Sequence, residues 1–122
     1  MVNLNIFQVA TAHAALKAKL TKGGIVQLYE YGLAPEKPTL PYVVWQQVDG
    51  DAYINIDSVS SADRLIVEFN VYSNTGADVK LIVNMLREAL ELRGYPDDIG
   101  GFEMQPNGVF KYTLDFSFHV TL

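Results

Sequence analysis

Every second position from Phe110 to the C-terminus is apolar: Phe110, Tyr112, Leu114, Phe116, Phe118, Val120 and Leu122 alternate with Lys111, Thr113, Asp115, Ser117, His119 and Thr121. A helix would scatter these aromatics around its axis, so the period of two predicts a strand with one face against a core. Pro106-Asn107-Gly108 just before it is a turn signal, and a short strand around Gly101 to Gln105 is expected to pair with it as a hairpin. The same alternation runs from Arg64 to Tyr72, with Leu65, Val67, Phe69 and Val71 on one face and Arg64, Glu68 and Asn70 on the other. The stretch PYVVWQQV, 41–48, is β-branched and aromatic on both faces, which predicts a strand covered by a helix on one side and by a neighbouring subunit on the other.

Two stretches have helical spacing instead. Ile6, Val9, Ala10, Leu16 and Leu20 predict one amphipathic helix over Asn5 to Leu20, stopped by Gly23-Gly24. Thr75 and Asp78 form a capping box before Val79, Ile82, Val83, Leu86, Ala89, Leu90 and Arg93, with Gly94 and Pro96 as the stop. Ile25 to Tyr29 suits a short strand, and Pro35, Pro38 and Pro41 make the next stretch a surface connection. The expected architecture is α+β: a mostly antiparallel sheet with two α-helices packed on one face, in the order α-β-β-α-β-β, as one domain over 1–122.

Composition narrows the class. With 122 residues and 49% hydrophobic content the chain is long enough for one core. It has no cysteine, which removes disulfides, thiolate zinc sites and cysteine nucleophiles. Neither a signal-like segment nor a run of about 18 apolar residues is present, so a soluble chain with no membrane contact is expected. The formal charge is −5, and the basic residues of the first 23 positions, Lys17, Lys19 and Lys22, meet no acid there. They lie in or just beyond the last turn of the first expected helix, where cations favour the helix dipole. The acidic remainder does not suit a nucleic-acid backbone, so sequence-specific nucleic-acid binding is not expected.

The acids of WQQVDGDAYINIDS, 45–58, invite a metal reading that their spacing refuses. Counting from Asp49, a calcium loop would need ligands, glycine and glutamate where Tyr53, Ile54 and Ser60 stand. Ser58, Ser60 and Ser61 have no nucleophile elbow around them, and Gly100-Gly101 lacks the context of a phosphate loop. His13 and His119 show no helical metal-ligand spacing, and Asp97-Asp98 follow a helix stop where Asp is common in turns. No catalytic constellation emerges, and neither an enzyme nor a cofactor is expected. Two alternatives stay open: a metal-dependent enzyme using Asp97, Asp98 and a histidine, and a small α+β ligand-binding module.

Taken in order, LPYVVWQQVDGD, ADRLIVEFNVYSNTGADVKLIVNMLREALE and KYTLDFSFHVTL resemble the tail completion, or tail terminator, proteins of tailed bacteriophages. The most telling matches are Pro41-Tyr42-Val43-Val44 and Val71-Tyr72-Ser73 with Gly76. The resemblance implies a structural protein, assembled in the bacterial host cytoplasm and carried in the virion. It would sit as a hexameric ring on the head-proximal end of a tail tube, stop tube polymerisation, and present a surface to the head's connector or completion protein. Its partners would be further copies of itself, the tail tube protein and that head protein. A ring needs two different patches per subunit, joined head to tail. Under this reading the stretch 49–63 is the candidate interface, with Asp49, Asp51, Tyr53, Ile54, Asp57 and Asp63 as contact residues. An acidic surface lining the ring's bore is the other use the resemblance offers these acids.

Overall fold

The N-terminal apolar stripe folds as two helices, α1 (Ile6–Thr11) and α2 (Ala14–Leu20), which corrects the single helix expected over this stretch. His13 makes the break: its backbone is extended, at φ −82° and ψ 106°, and its Nδ1 accepts the amide hydrogen of Leu16 at 3.1 Å. Asn5 caps α1 in the same way, its Oδ1 accepting from the Gln8 amide at 3.0 Å. Isolated helices this short are unstable in water, so both depend on burying Ile6 and Ala10, and Leu16 and Leu20, against the rest of the chain. A computed structural model describes residues 5–50, 63–91 and 94–120, and their side chains except at 48–50, 63–65, 95, 97–101 and 119–120.

After α2 the chain forms a small antiparallel hairpin, β1 (Thr21–Lys22) with β2 (Ile25–Val26), then β3 (Leu28–Glu30), β4 (Tyr42–Gly50), β5 (Asp63–Ser73), α3 (Gly76–Leu90), β6 (Gly94–Met104) and β7 (Phe110–Val120). The main sheet has five strands in the order β3-β4-β5-β7-β6. β3 runs parallel to β4, while β4–β5, β5–β7 and β6–β7 are antiparallel. The fold is α+β. The expected order α-β-β-α-β-β is corrected by the split helix, the small hairpin and the separate β3. Gln27 divides β2 from β3: it is buried, its amide donates to Leu20 O at 2.8 Å, its carbonyl accepts from the Val43 amide, and its side-chain oxygen accepts from the Tyr29 hydroxyl at 2.9 Å. These bonds satisfy a polar residue at a place where an orphan would cost stability.

The core lies between α3 and one face of the sheet. Val67, Phe69 and Val71 of β5 and Leu114, Phe116 and Phe118 of β7 are buried there, opposite Val79, Ile82, Leu86 and Leu90 of α3. Phe69 and Phe116 meet edge to face, 6.3 Å between ring centroids, the arrangement that aromatic quadrupoles favour. α1 and α2 pack against α3.

α3 begins as expected, with Thr75 Oγ1 accepting the Asp78 amide hydrogen at 3.1 Å. The reciprocal half of the capping box is replaced. The Asp78 carboxylate instead takes Lys19 Nζ at 3.1 Å and the Ser73 hydroxyl at 3.4 Å, tying α2 to the start of α3. Gly94 is not the helix stop that the sequence suggests; it is the first residue of β6, opposite Phe118. A Cβ there would overlap the Ser117 carbonyl oxygen and lie 2.8 Å from the Phe118 ring, so close approach of β6 to β7 requires the glycine. β6 then continues through Asp97-Asp98 to Met104, with register shifts at Pro96/Asp98 and Ile99/Phe102, so those aspartates sit in an irregular edge strand and not in a turn.

Candidate functional site

The sheet face away from α3 is polar and is built by strand register. Directly paired residues share a face, and one row runs Tyr42–Tyr72–Lys111–Glu103 across β4, β5, β7 and β6. Tyr42 and Tyr72 stack at 4.6 Å with 18° between their planes. Lys111 Nζ lies 5.8 Å from the Tyr72 centroid and 3.9 Å from Glu103 Oε1. In the next row Thr113 Oγ1 donates to Asn70 Oδ1 at 2.9 Å, and Asn70 Nδ2 donates to Glu68 Oε1 at 3.1 Å.

The proline-rich connection 31–41 folds along this face beside β4. Tyr31, Pro35, Glu36 and Pro38 form one wall of a groove of about 450 Å³ whose other wall is Tyr42, Val44, Glu68, Asn70, Tyr72 and Lys111. The second cover expected from a neighbouring subunit over 41–48 is therefore supplied in part by the chain itself. Burial pushes the Tyr42 and Tyr72 hydroxyls above their ordinary pKa; the Tyr72 hydroxyl adds a smaller push on Tyr42, and the Glu103 and Glu68 carboxylates add one on Tyr72. The groove thus offers protonated phenols, amides, the Lys111 ammonium and the Glu36 and Glu68 carboxylates, a mixed polar surface.

The acids singled out in the sequence distribute differently. Asp49 lies on β4 opposite Ile66, just after a register shift, and Asp63 opens β5 opposite Val120, so both belong to the same end of the sheet. Asp51, Tyr53, Ile54 and Asp57 lie outside the described residues. The constituents of the alternative metal site are not brought together by the backbone. Asp98 pairs with Asp115, and His119 stands four positions further along β7, about 13 Å at the usual strand rise. His13 is engaged in the helix break, with Nδ1 on the Leu16 amide and Nε2 3.4 Å from Glu88 Oε1. Among the described residues no group of three or more His, Cys, Asp or Glu is placed to hold a metal ion. No described helix is long and apolar enough to cross a membrane.

Tyr42 and Tyr72 lie in the two most telling stretches of the family resemblance, but nothing in the sequence joins them with Lys111 and Glu103 in one row. Its members sit at polar-face positions of four strands, but only the register shows that they meet.

Comparison with known proteins places this geometry. A search of curated proteins finds no significant match. Among solved structures, a chain from the virion of the native gene transfer agent particle superposes with a TM-score of 0.70, covering 96% of this chain and 92% of that one at 14% identity; the two share a fold. The profile of the family described as tail completion protein gp17 matches residues 5–120, which include α1, α3, every strand and the groove. The chain belongs to the tail completion protein gp17 family, a family of structural phage tail proteins.

Proposed function

We propose that this protein completes a phage tail by assembling as a hexameric ring at the head-proximal end of the tail tube, where it stops polymerisation and presents the head-docking surface. The observation that carries this reading is the family match over residues 5–120. The shared fold with a virion chain supports it. In this reading the partners are further copies of the chain, the tail tube protein and the head's connector or completion protein.

The work asked of such a protein is rigid presentation of surfaces. Three features suit it: a core-backed five-stranded sheet, an ordered polar face, and Asp49 and Asp63 placed at the same end of adjacent strands β4 and β5. We place partner contacts at Asp49, Asp51, Tyr53, Ile54, Asp57 and Asp63: the four carboxylates would meet basic groups on a neighbouring protein, and Tyr53 and Ile54 would anchor the contact.

Removing the chain from its phage tests the role. The expected result is that heads and tails accumulate unjoined, with tails of irregular length, and that supplying the chain in trans restores joining. Joined, infectious particles of normal tail length without the chain would contradict it.

A further inference from the structure

β3 and β6 are the two edge strands of the main sheet, and each carries a different exposed apolar patch. Beside β3, Leu33 N donates to Glu30 O at 2.9 Å and closes a tight turn, with Gly32 at φ 90°. That turn holds Tyr31 and Leu33 out at 69% and 72% exposure. Beside β6, Phe102 and Met104 are 42% and 65% exposed. Phe102 is held in place: Gly76 leaves room for it, since a Cβ there would lie 2.9 Å from its Cζ, and Phe110 supports it at 5.4 Å between centroids. Lys80 Nζ stands 5.5 Å from the Phe102 centroid.

We infer that these two patches are the halves of the ring seam, the Tyr31/Leu33 turn of one copy seating against Phe102 and Met104 of the next. This rests on the ring reading above and adds the residues that build it. A second copy is the occupant for three reasons. The patches are unlike and lie at opposite edges of one rigid sheet, which is the arrangement a head-to-tail contact needs in order to repeat. Their charges are complementary: the exposed carboxylate of Glu30 borders the turn, whereas Lys80 borders the socket. The edge of β6 is also ill suited to direct strand pairing, because Pro96 and two register shifts interrupt it, so contact there falls to side chains.

The chain has no cysteine, so introduced thiols can report the seam without background. Leu33→Cys with Met104→Cys in one chain, treated with a short bifunctional thiol cross-linker, is expected to give a ladder of covalent multimers ending at the closed ring. Either single variant is expected to stay a monomer on a denaturing gel. Lys80→Glu should shorten the ladder, and Lys80→Glu with Glu30→Lys should restore it. The same treatment is made on the free chain and on chain bound to tail tubes, with the mass of the untreated wild-type assembly measured alongside. A multimeric wild type without a ladder in the double variant overturns the seam and leaves the ring. Dimers from Leu33→Cys alone overturn it too, because they show a twofold contact. A wild type that stays monomeric even on tubes overturns the ring and the seam together.

Discussion

Tyr42 and Tyr72 stack at 4.6 Å on the sheet face turned away from α3, and Lys111 Nζ lies 5.8 Å from the Tyr72 centroid. Both hydroxyls are held above the ordinary value of 10.0, by burial first. A raised folded-state pKa means that the native protein keeps these protons where the unfolded chain releases them. The stabilisation is therefore complete below pH about 10 and is lost as pH rises through the folded values. Denaturation midpoints should fall with rising pH across that range, and tyrosinate absorbance should include a late component from Tyr42 and Tyr72. Replacing both with Phe should flatten this part of the pH dependence.

Phe116 is fully buried between α3 and the sheet, in contact with Phe69 and Phe118. Phe116→Ala should cost about 3 to 5 kcal/mol in a domain of ordinary total stability of about 5 to 15 kcal/mol. Chemical denaturation of the purified variant measures it.

Gly94→Ala tests the close approach of β6 to β7. The added Cβ meets backbone at Ser117 and the Phe118 ring, so the hairpin must shift, at a cost of about 1 to 3 kcal/mol. Had Gly94 been a helix stop with open space around it, the loss would be confined to the glycine's backbone freedom. The denaturation midpoint, together with hydrogen exchange along β6, separates the two.

Thr75→Ala removes the oxygen that caps α3 and should cost about 0.5 to 2 kcal/mol. Asp78→Asn adds a different loss, because that carboxylate also holds Lys19 of α2. The double variant Thr75→Ala/Asp78→Asn, compared with each single one by denaturation, should show that the two losses are coupled.

Asp49→Asn with Asp51→Asn should leave the fold intact and weaken assembly with partners. Circular dichroism and denaturation report the first, and binding to tail tubes at low and high salt reports the second. A collapsed fold would make these carboxylates structural and remove them from the interface.

Much of this fold is legible in the sequence where one period dominates. The alternation of β7, the Pro106-Asn107-Gly108 turn and the Thr75 cap each rest on local chemistry, and each is found: Gly108 takes φ 81° and Asn107 Oδ1 accepts from the Val109 amide at 3.1 Å. The break at His13 escapes the same reading because Ile6, Val9, Ala10, Leu16 and Leu20 form one stripe whether or not the helix is continuous, and histidine is not among the usual capping residues. The parallel pairing of β3 with β4 and the role of Gly94 depend on contacts between distant segments, which local pattern does not carry. The site is less legible than the fold. The tyrosine–lysine–glutamate row and the two unlike edge patches arise from strand order β3-β4-β5-β7-β6, whereas local sequence marks only the concentration of aspartates at 49–63.

The most direct test of the central claim is to locate and count this chain on isolated tails by labelling and mass measurement. The expected result is a hexameric complement at one end of each tube, the end that meets the head, and none along the shaft. Chain spread along the tube, or absent from tails that still join heads, would contradict it.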